Sequence, residues 1–266
     1  MVTALRTAAT AELAWTEDAT PRARPVVPLL AADRPVIAAT YADADWARSL
    51  ATRPRVVLTL SDRRLAAGGW RPVAVTATPR LVEDLTGDVF CDELLVQELR
   101  KHPPSRAFAD SVLLRREYWW YLPRLLVHLD VLEVAPFPER TAPDDVLVVT
   151  AAGTAGSAPT VRGARVTGWE RPVGLTPRDG APLPDASTAL LFGHDYSEPD
   201  VERWVSFEAV GALRDGALDA EPPTARSAGT LPRLRERLGR HRALHKACVA
   251  GIRAAESGAG GLRPSR

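Results

Sequence analysis

Short apolar runs separated by turn residues fill the first third of the chain and are typical of β-strands. The predicted strands are Arg24–Leu30, Arg34–Tyr41, Arg53–Leu60 and Arg71–Val82. A short helix is predicted between the second and third of these, because Asp43 is well placed to cap it. Residues 1–20 are rich in Ala and Thr and predict a short leading helix or a loose arm.

A helical period replaces this pattern at Asp88–Lys101. The apolar residues that share one face of this helix are Phe90, Leu94, Leu95 and Leu99. Two prolines follow His102 and end the helix, because proline cannot continue its hydrogen-bond ladder. A second helix is predicted from Ser105 to about Arg116, and a strand over Tyr118–Glu133.

The second half of the chain returns to strand patterns between loops rich in Gly, Pro and Ser. Strands are predicted at Asp145–Thr150, Thr160–Gly168, Thr188–Phe192 and Glu202–Leu213. Residues 222–230 predict a linker, Leu231–Ala255 a basic helix, and residues 257–266 a disordered tail. A faint internal repeat would match strands near 24–40 and 71–82 with strands near 145–166 and 205–213.

Composition narrows the class of protein. The 34 Lys and Arg residues nearly balance the 33 Asp and Glu residues, so no overall charge attracts nucleic acid or an anionic membrane. Two cysteines exclude a disulfide scaffold and a four-cysteine zinc site. The N-terminus carries no signal-peptide pattern, and no apolar run approaches the ~18 residues of a membrane span. A cytoplasmic location is therefore expected, with no membrane partner.

Three segments, in this order, resemble those of one family. They are Arg34–Tyr41 (RPVIAATY), Tyr41–Leu60 (YADADWARSLATRPRVVLTL) and Val75–Asp84 (VTATPRLVED). The family is the FMN-binding split β-barrel of the pyridoxamine 5′-phosphate oxidase type, and the resemblance covers roughly residues 20–137. It implies a split barrel with a helical insert for these residues. Together with the strand patterns of the second half and the basic helix, the predicted class is α+β, mainly β: a split barrel with a helical insert, a second β-rich half and a C-terminal helix.

The resemblance also implies that residues 20–140 form the split-barrel domain. The patterns of the remaining chain predict a second β-rich subdomain over residues 141–222, which is a candidate degenerate repeat, and the basic C-terminal helix over residues 230–256. By the same resemblance, the chain would be a flavin-dependent oxidoreductase that binds FMN, or a deazaflavin, at the interface of a homodimer. Heme is the alternative cofactor on such barrels. A further alternative is a cofactor-free binding or regulatory module that uses the basic helix.

Some residues of the matching segments are candidates for the flavin site. A flavin phosphate needs convergent cations and hydroxyl donors; the candidates are Arg34, Thr40, Tyr41, Arg48 and Ser49. The family often has a lysine where this chain has Trp46, and Arg48 would replace that charge. The aromatic run that holds Trp119 and Trp120 would either fill the core or stack on a flat ring system, and Trp46 would belong to the same wall.

Other polar residues allow further hypotheses. Lys101 and Arg106 lie at a helix end, where their positive charges either interact favourably with the helix dipole or bind an anion. His194 and Asp195 would be either a general base with its acid or ordinary turn residues. One face of the C-terminal helix carries His241, His245 and Cys248, which are residue types that bind zinc or heme iron. The alternative there is a solvent-facing pair of histidines, and no metal site is predicted. The basic helix either docks on the barrel or binds an acidic partner; nucleic-acid binding is not expected.

Overall fold

The alternating apolar positions form strands throughout the computed structural model, which describes residues 1–66, 68–151, 153–154, 156–229 and 234–260. The strands are β1 Ala11–Glu17, β2 Thr20–Val26, β3 Leu29–Ala31, β4 Arg34–Thr40, β5 Val56–Leu60, β6 Val73–Asp84, β7 Arg124–Pro136, β8 Asp145–Thr150, β9 Thr160–Gly168, β10 Val173–Pro177, β11 Ala186–Tyr196, β12 Trp204–Arg214 and β13 Ala217–Asp219. The helices are α1 Val2–Thr7, α2 Ala44–Ala51, α3 Leu95–Lys101, α4 Arg106–Ala109, α5 Val112–Glu117 and α6 Leu234–Gly260.

The strands form two antiparallel β-structures, one in each half of the chain. The first is a seven-stranded sheet with the order β2-β1-β5-β6-β7-β4-β3, and the second is a closed barrel with the order β10-β13-β12-β11-β8-β9. Each has its own apolar core. The expected class, a mainly β split barrel with a helical insert, a second β-rich half and a C-terminal helix, is confirmed.

The two halves share one strand order. When the three-residue strand β3 is set aside, the first sheet runs β2-β1-β5-β6-β7-β4 and the barrel runs β9-β8-β11-β12-β13-β10. The two orders coincide strand for strand, which is what a duplicated barrel would give. In this correspondence β6 matches β12, as the sequence suggested for 71–82 and 205–213, whereas residues 145–166 match β1 and β2 rather than 24–40.

The largest difference between the halves lies in one connection, which runs from β6 to β7 in the first half and from β12 to β13 in the second. In the second barrel, Asp215 and Gly216 join β12 to β13 as a tight turn, with φ of 48° and 74°. In the first half, residues 85–123 fill the same connection; we call them the helical insert. The insert leaves β6 after Asp84 and returns at Arg124, and these two residues are direct cross-strand partners.

Helix α6 docks on the first half of the chain. Cys248 and Ile252 are buried in the first core. Gly251 permits the close approach, since a Cβ atom at this position would lie 2.3 Å from the carbonyl oxygen of Tyr41. The docking interpretation of this helix therefore agrees with its packing. Residues 230–233 of the predicted linker and helix, and residues 261–266 of the predicted tail, lie outside the described residues.

Several local predictions were wrong. Residues 1–20 form α1 and also a strand, β1, whose residues Ala11–Trp15 are buried. The predicted strand at Tyr118 begins only at Arg124, because Trp119–Tyr121 form a 3-10 turn. His194 lies inside β11 and not in a turn. None of the helices in the described ranges combines the length and hydropathy that crossing a bilayer would require.

Candidate functional site

A cleft of about 650 Å³ lies between the helical insert, α6 and the loop that precedes β12. We call it the aromatic cleft. Its lining residues from the insert include His102, Phe108, Tyr118 and Tyr121; α6 contributes Arg237, Leu238, Arg240, His241 and Leu244; the loop contributes Asp200 and Glu202. This volume is within the range of pockets that hold cofactors and other small molecules.

The apolar wall of the cleft is a cluster of interlocked rings. Phe108 stacks on Tyr121, with ring centroids 4.7 Å apart, and meets Tyr118 edge-on at 5.5 Å. The His241 ring packs against Phe108 at 5.2 Å and against Trp120 at 5.9 Å. Edge-to-face and offset contacts of this kind fix the rings in place and leave a rigid apolar surface.

Beneath this wall is a buried polar network centred on Glu98. The Oε1 atom of Glu98 accepts hydrogen bonds from Ser105 Oγ at 2.7 Å and from Tyr121 Oη at 2.7 Å. It also lies 3.3 Å from an Nη atom of Arg124, whose side chain is fully buried. The Arg124 guanidinium sits over the rings of Phe90 and Tyr121, at 4.0 and 4.3 Å from their centroids.

The network sets the charge of its members. Burial alone would raise the pKa of Glu98, but Arg124 and the hydroxyl donors outweigh it and hold that pKa below its usual value. Burial raises the pKa of Tyr121, and the neighbouring carboxylate adds to the effect. The network beneath the cleft therefore holds an ionised carboxylate and a neutral phenol, and one guanidinium compensates the negative charge.

His102 joins this network to the cleft. It lines the cleft, and its Nδ1 atom lies 3.0 Å from Ser105 Oγ. Burial lowers the pKa of His102, and the positive charge of Arg124 lowers it further, although Glu98 opposes both. His102 is therefore a neutral imidazole at neutral pH.

The rim of the cleft carries charge of both signs. Arg237 makes a bidentate ion pair with Glu202, which ties α6 to the second barrel. Arg240 lines the cleft and has no ion-pair partner within the described ranges. Asp200 accepts hydrogen bonds from Ser197 and from the backbone N–H of Glu202, so its carboxylate is engaged in its own loop.

The residues predicted to hold a flavin phosphate lie elsewhere, and a carboxylate stands among them. Arg48 Nε donates to Glu83 at 2.9 Å, and Tyr41 Oη donates to the other Glu83 oxygen at 3.1 Å. Ion pairing holds the pKa of Glu83 below its usual value, and burial opposes this only partly. The pair already neutralises Arg48, and Glu83 would repel a phosphate, so this group of residues does not fit an FMN phosphate as it stands.

The remaining predicted residues of that set are dispersed. Arg34 begins β4 and Thr40 ends it, which separates them by roughly 20 Å at 3.3 Å per residue. Arg34 is exposed and lies 3.9 Å from Asp130. The Ser49 hydroxyl accepts a hydrogen bond from Arg53 at 2.8 Å. The structure brings Tyr41 and Arg48 together through Glu83, and it does not bring Arg34 to them.

The three tryptophans singled out in the sequence occupy three different environments. Trp46 packs edge-on against Trp15, and the Arg24 guanidinium lies 4.3 Å over its ring. Trp120 is buried, with His245 at 4.9 Å, so protein already covers it. Trp119 is 53% exposed. The strand alternation predicted for Trp119 and Trp120 is wrong, since both lie in the 3-10 turn, and Trp46 does not pack against them.

The histidines and the cysteine of α6 do not form a ligand set. Cys248 is buried in the apolar core of the first half, and burial raises the pKa of its thiol. The His241 Nε2 atom is buried without a hydrogen-bond partner in the described structure. His245 is exposed and its ring contacts Trp120. Among the residues that the structure describes, no group of three or more His, Cys, Asp or Glu side chains is arranged to hold a metal ion.

The predicted anion-binding residues, Lys101 and Arg106, do not line a common pocket. The Lys101 ammonium group is buried and donates to the carbonyl oxygens of Leu5 and Pro28. It lines two hollows together with Arg6 and Arg100. Arg106 lines neither of them, and its Nε donates to the carbonyl of Leu99 at 3.0 Å. Burial lowers the pKa of Lys101 from 10.5 to about 7, and Arg100 adds to this effect.

Lys101 should therefore make stability rise with pH in the alkaline range. Between pH 7 and 10.5 the unfolded chain binds a proton at Lys101 that the folded chain does not, so the free energy of unfolding increases with pH. The slope from one proton is at most about 1.4 kcal/mol per pH unit. Urea unfolding from pH 7 to 10 should show this slope in the wild type and lose it in Lys101→Met. Lys246→Met, at the exposed second lysine, should keep it; parallel curves for wild type and Lys101→Met would contradict the prediction.

A second buried network, which the sequence did not reveal, joins the two halves of the chain. Glu12 of β1 accepts hydrogen bonds from Thr59 Oγ1 at 2.8 Å and from Ser61 Oγ at 3.1 Å. His194 Nε2 of the second barrel lies 2.9 Å from the same carboxylate. Trp204 Nε1 donates to His194 Nδ1 at 2.9 Å. We call this group of residues the seam.

The seam determines what His194 is able to do. Because the indole N–H only donates, His194 Nδ1 must accept, and Nε2 must carry the proton that Glu12 receives. Both ring nitrogens are therefore engaged, and the side chain is fully buried. The neighbouring Asp195 pairs with Arg64 at 2.6 Å instead. The hypothesis that His194 and Asp195 act as a general base with its acid does not agree with this geometry.

Comparisons with known proteins found similar solved structures only. No family model matches the chain, and no curated protein matches it. The heme storage protein HutZ from Vibrio cholerae is 13% identical with a TM-score of 0.34, over 50% of this chain and 89% of its own. The FAD and heme binding protein from Mycobacterium smegmatis is 20% identical with a TM-score of 0.32, over 57% and 88% of the two chains.

A third similar structure belongs to the family that the sequence resembles. It is a pyridoxamine 5′-phosphate oxidase-related, FMN binding protein from Nostoc punctiforme, with 13% identity and a TM-score of 0.29, over 77% of this chain and 86% of its own. The structural neighbours thus include flavin-binding and heme-binding proteins. What each of them binds is a property of that protein.

Proposed function

We propose that this chain binds a flat, conjugated, anionic cofactor in the aromatic cleft. The observation that carries the proposal is the cleft itself: about 650 Å³ of space walled by the interlocked rings of Phe108, Tyr118 and Tyr121. A rigid wall of aromatic rings suits a flat conjugated molecule, which gains both apolar burial and ring contacts.

The charge at the rim supports an anionic ligand. Arg237 is occupied by Glu202, but Arg240 has no such partner among the described residues and borders the same space. A guanidinium is a planar fork that matches a carboxylate or a phosphate. We therefore assign Arg240 to the anionic group of the ligand, in place of Arg48, whose charge Glu83 already balances.

Two classes of cofactor match this description. A flavin, FMN or a deazaflavin, would make the chain a flavin-dependent oxidoreductase, because the flavin supplies the redox chemistry and the protein positions it. A heme carries carboxylates on a flat macrocycle, and it is favoured by His102, which borders the cleft. A homodimeric state and a cytoplasmic location accompany either proposal as predictions.

Spectroscopic titration tests the proposal directly. Purified protein is titrated with FMN, FAD and hemin, and binding is followed by flavin fluorescence and by the Soret band. The matched variants are Leu238→Glu, at the cleft rim, and Leu113→Glu, on the exposed face of α5; the two leucines are 47% and 79% exposed, so neither change should unfold the chain.

The new carboxylate at position 238 should repel an anionic ligand and weaken binding at least tenfold, whereas Leu113→Glu should bind as the wild type does. Binding of flavin alone or of hemin alone identifies the cofactor class. If none of the three probes binds, or if both variants bind equally well, the proposal is wrong.

A further inference from the structure

We propose that His102 is the residue that ligates the metal of the cofactor, as an axial ligand to heme iron through its Nε2 atom. This inference rests on the proposed function and on its heme form. It differs from the sequence-based hypothesis, which assigned that role to histidines of α6.

Counting protons in the buried network fixes the tautomer of His102. Ser105 Oγ, Tyr121 Oη and Glu98 Oε1 lie 2.7 Å from one another, and they share only two hydroxyl protons. Glu98 is paired with Arg124 and accepts from both hydroxyl groups, so neither hydroxyl proton is left for His102. The contact of 3.0 Å between Ser105 Oγ and His102 Nδ1 then requires a proton from the ring.

His102 therefore carries its proton on Nδ1, and its lone pair is on Nε2. The residue lines the aromatic cleft, and Nε2 has no hydrogen-bond partner in the described ranges. A neutral imidazole whose other nitrogen donates to an anchored acceptor is the arrangement that metal-binding histidines have.

The relay behind His102 strengthens it as a ligand. Its N–H donates to Ser105, and Ser105 donates to the Glu98 carboxylate, which increases electron density on the ring. The bond to iron would be dative, from the Nε2 lone pair to the metal. No proton or electron has to move, because Nε2 carries no proton in this tautomer.

The two histidines of α6 are less suited to this role. The His241 Nε2 atom is buried inside the ring cluster, so a ligand in the cleft would not reach it without repacking of Phe108 and Trp120. His245 does not line the cleft, and it is exposed beside Trp120. His102 is the histidine of the cleft that has an anchored Nδ1 atom and an unengaged Nε2 atom.

The test is hemin binding to the full chain, followed by resonance Raman spectroscopy of the ferrous form. The wild type should show an iron–histidine stretching band. His102→Ala should bind hemin but lose that band, and added imidazole should restore it by filling the space left by the side chain. His102→Gln is a second variant, since its amide is able to keep the hydrogen bond to Ser105 without providing a strong iron ligand.

Three further variants complete the design. His241→Ala and His128→Ala should keep the band. The Nε2 atom of His241 is buried in the ring cluster, and His128 lies on β7 outside the cleft. Ser105→Ala removes the acceptor of the Nδ1 proton, so the band should persist at a lower frequency. If Ser105 had only a structural role, its replacement would not change the frequency of the band.

The outcomes separate this inference from the proposed function. If the wild type binds no hemin, the heme form of the proposed function and the role of His102 both fail, whether or not flavin binds. If the wild type binds hemin and the band survives in His102→Ala but disappears in His241→Ala, the cleft binds heme and the assignment of His102 alone is wrong.

Discussion

Replacing Arg124 with methionine is expected to lower the free energy of unfolding by about 3–5 kcal/mol, the range for removing one partner of a buried ion pair. Arg124 is fully buried, and it is the cation that compensates Glu98 beneath the aromatic cleft. The methionine fills much of the space but leaves the carboxylate buried without its counter-charge. It also removes the guanidinium from the rings of Phe90 and Tyr121.

Chemical unfolding of the two proteins measures this loss. Arg80→Met is the matched control: Arg80 lies 3.8 Å from Asp130, but both side chains are about half exposed, so the change should be less than about 1 kcal/mol. Equal effects of the two substitutions would show that the buried pair does not stabilise the insert.

The difference in the free energy of unfolding between the wild type and Arg124→Met should depend on pH, because the substitution changes the pKa of Glu98. In the wild type its lowered pKa adds stability above its ordinary value near 4.5, and this stability is lost as the pH falls through the lowered pKa. In Arg124→Met the pKa of Glu98 should rise, so protonation relieves the buried charge. The gap in stability between the two proteins should therefore narrow on acidification below about pH 5.

Replacing Glu12 with leucine is expected to cost at least about 3 kcal/mol, because several buried donors lose their acceptor at ~1–3 kcal/mol each. The donors are Thr59, Ser61 and His194, and Glu12 itself is 2% exposed. Glu12→Gln keeps a carbonyl oxygen and the shape of the side chain, so its cost should be less than half as large.

Calorimetry tests whether the seam makes the two halves of the chain unfold together, in addition to stabilising them. Glu12 belongs to the first sheet and His194 to the second barrel, so the carboxylate couples the two halves. The wild type should unfold in one transition, and Glu12→Leu should separate it into two. A double-mutant cycle with His194→Phe should give a coupling of about 0.5–3 kcal/mol. A single transition at an unchanged Tm in Glu12→Leu would contradict this account.

The sequence is informative where structure is local. The alternation of Arg71–Val82 became β6, the helical face with Phe90 and Leu94 lies in the insert, and the basic C-terminal pattern became α6. Strand β1 was not predicted, because Glu12 interrupts its short apolar run and the hydrogen-bond partners of Glu12 lie far along the chain. The Tyr118–Tyr121 stretch has strand-forming residues, but the packing of its rings around Phe108 holds it in a tight turn.

The candidate site was largely beyond sequence reasoning for the same reason. Glu98, Ser105 and Arg124 come from a helix, a turn and a strand, and no spacing rule brings them together. The His102–Pro–Pro sequence was interpreted as the end of a helix, which it is, and nothing local shows that the ring faces a cleft. His194 and Glu12 are 182 residues apart. The one useful signal was the unusual density of aromatic residues near Trp120.

The connection between β6 and β7 has a consequence for the ancestry of the chain. Asp84 and Arg124 are cross-strand partners, so residues 85–123 leave and re-enter the sheet at neighbouring points, and the equivalent connection in the second barrel needs only Asp215 and Gly216. A segment with such ends is excisable. The same strand order persists with or without the insert, so a lineage built on this order is able to gain or lose the part of the cleft wall that residues 85–123 form while the strands stay unchanged.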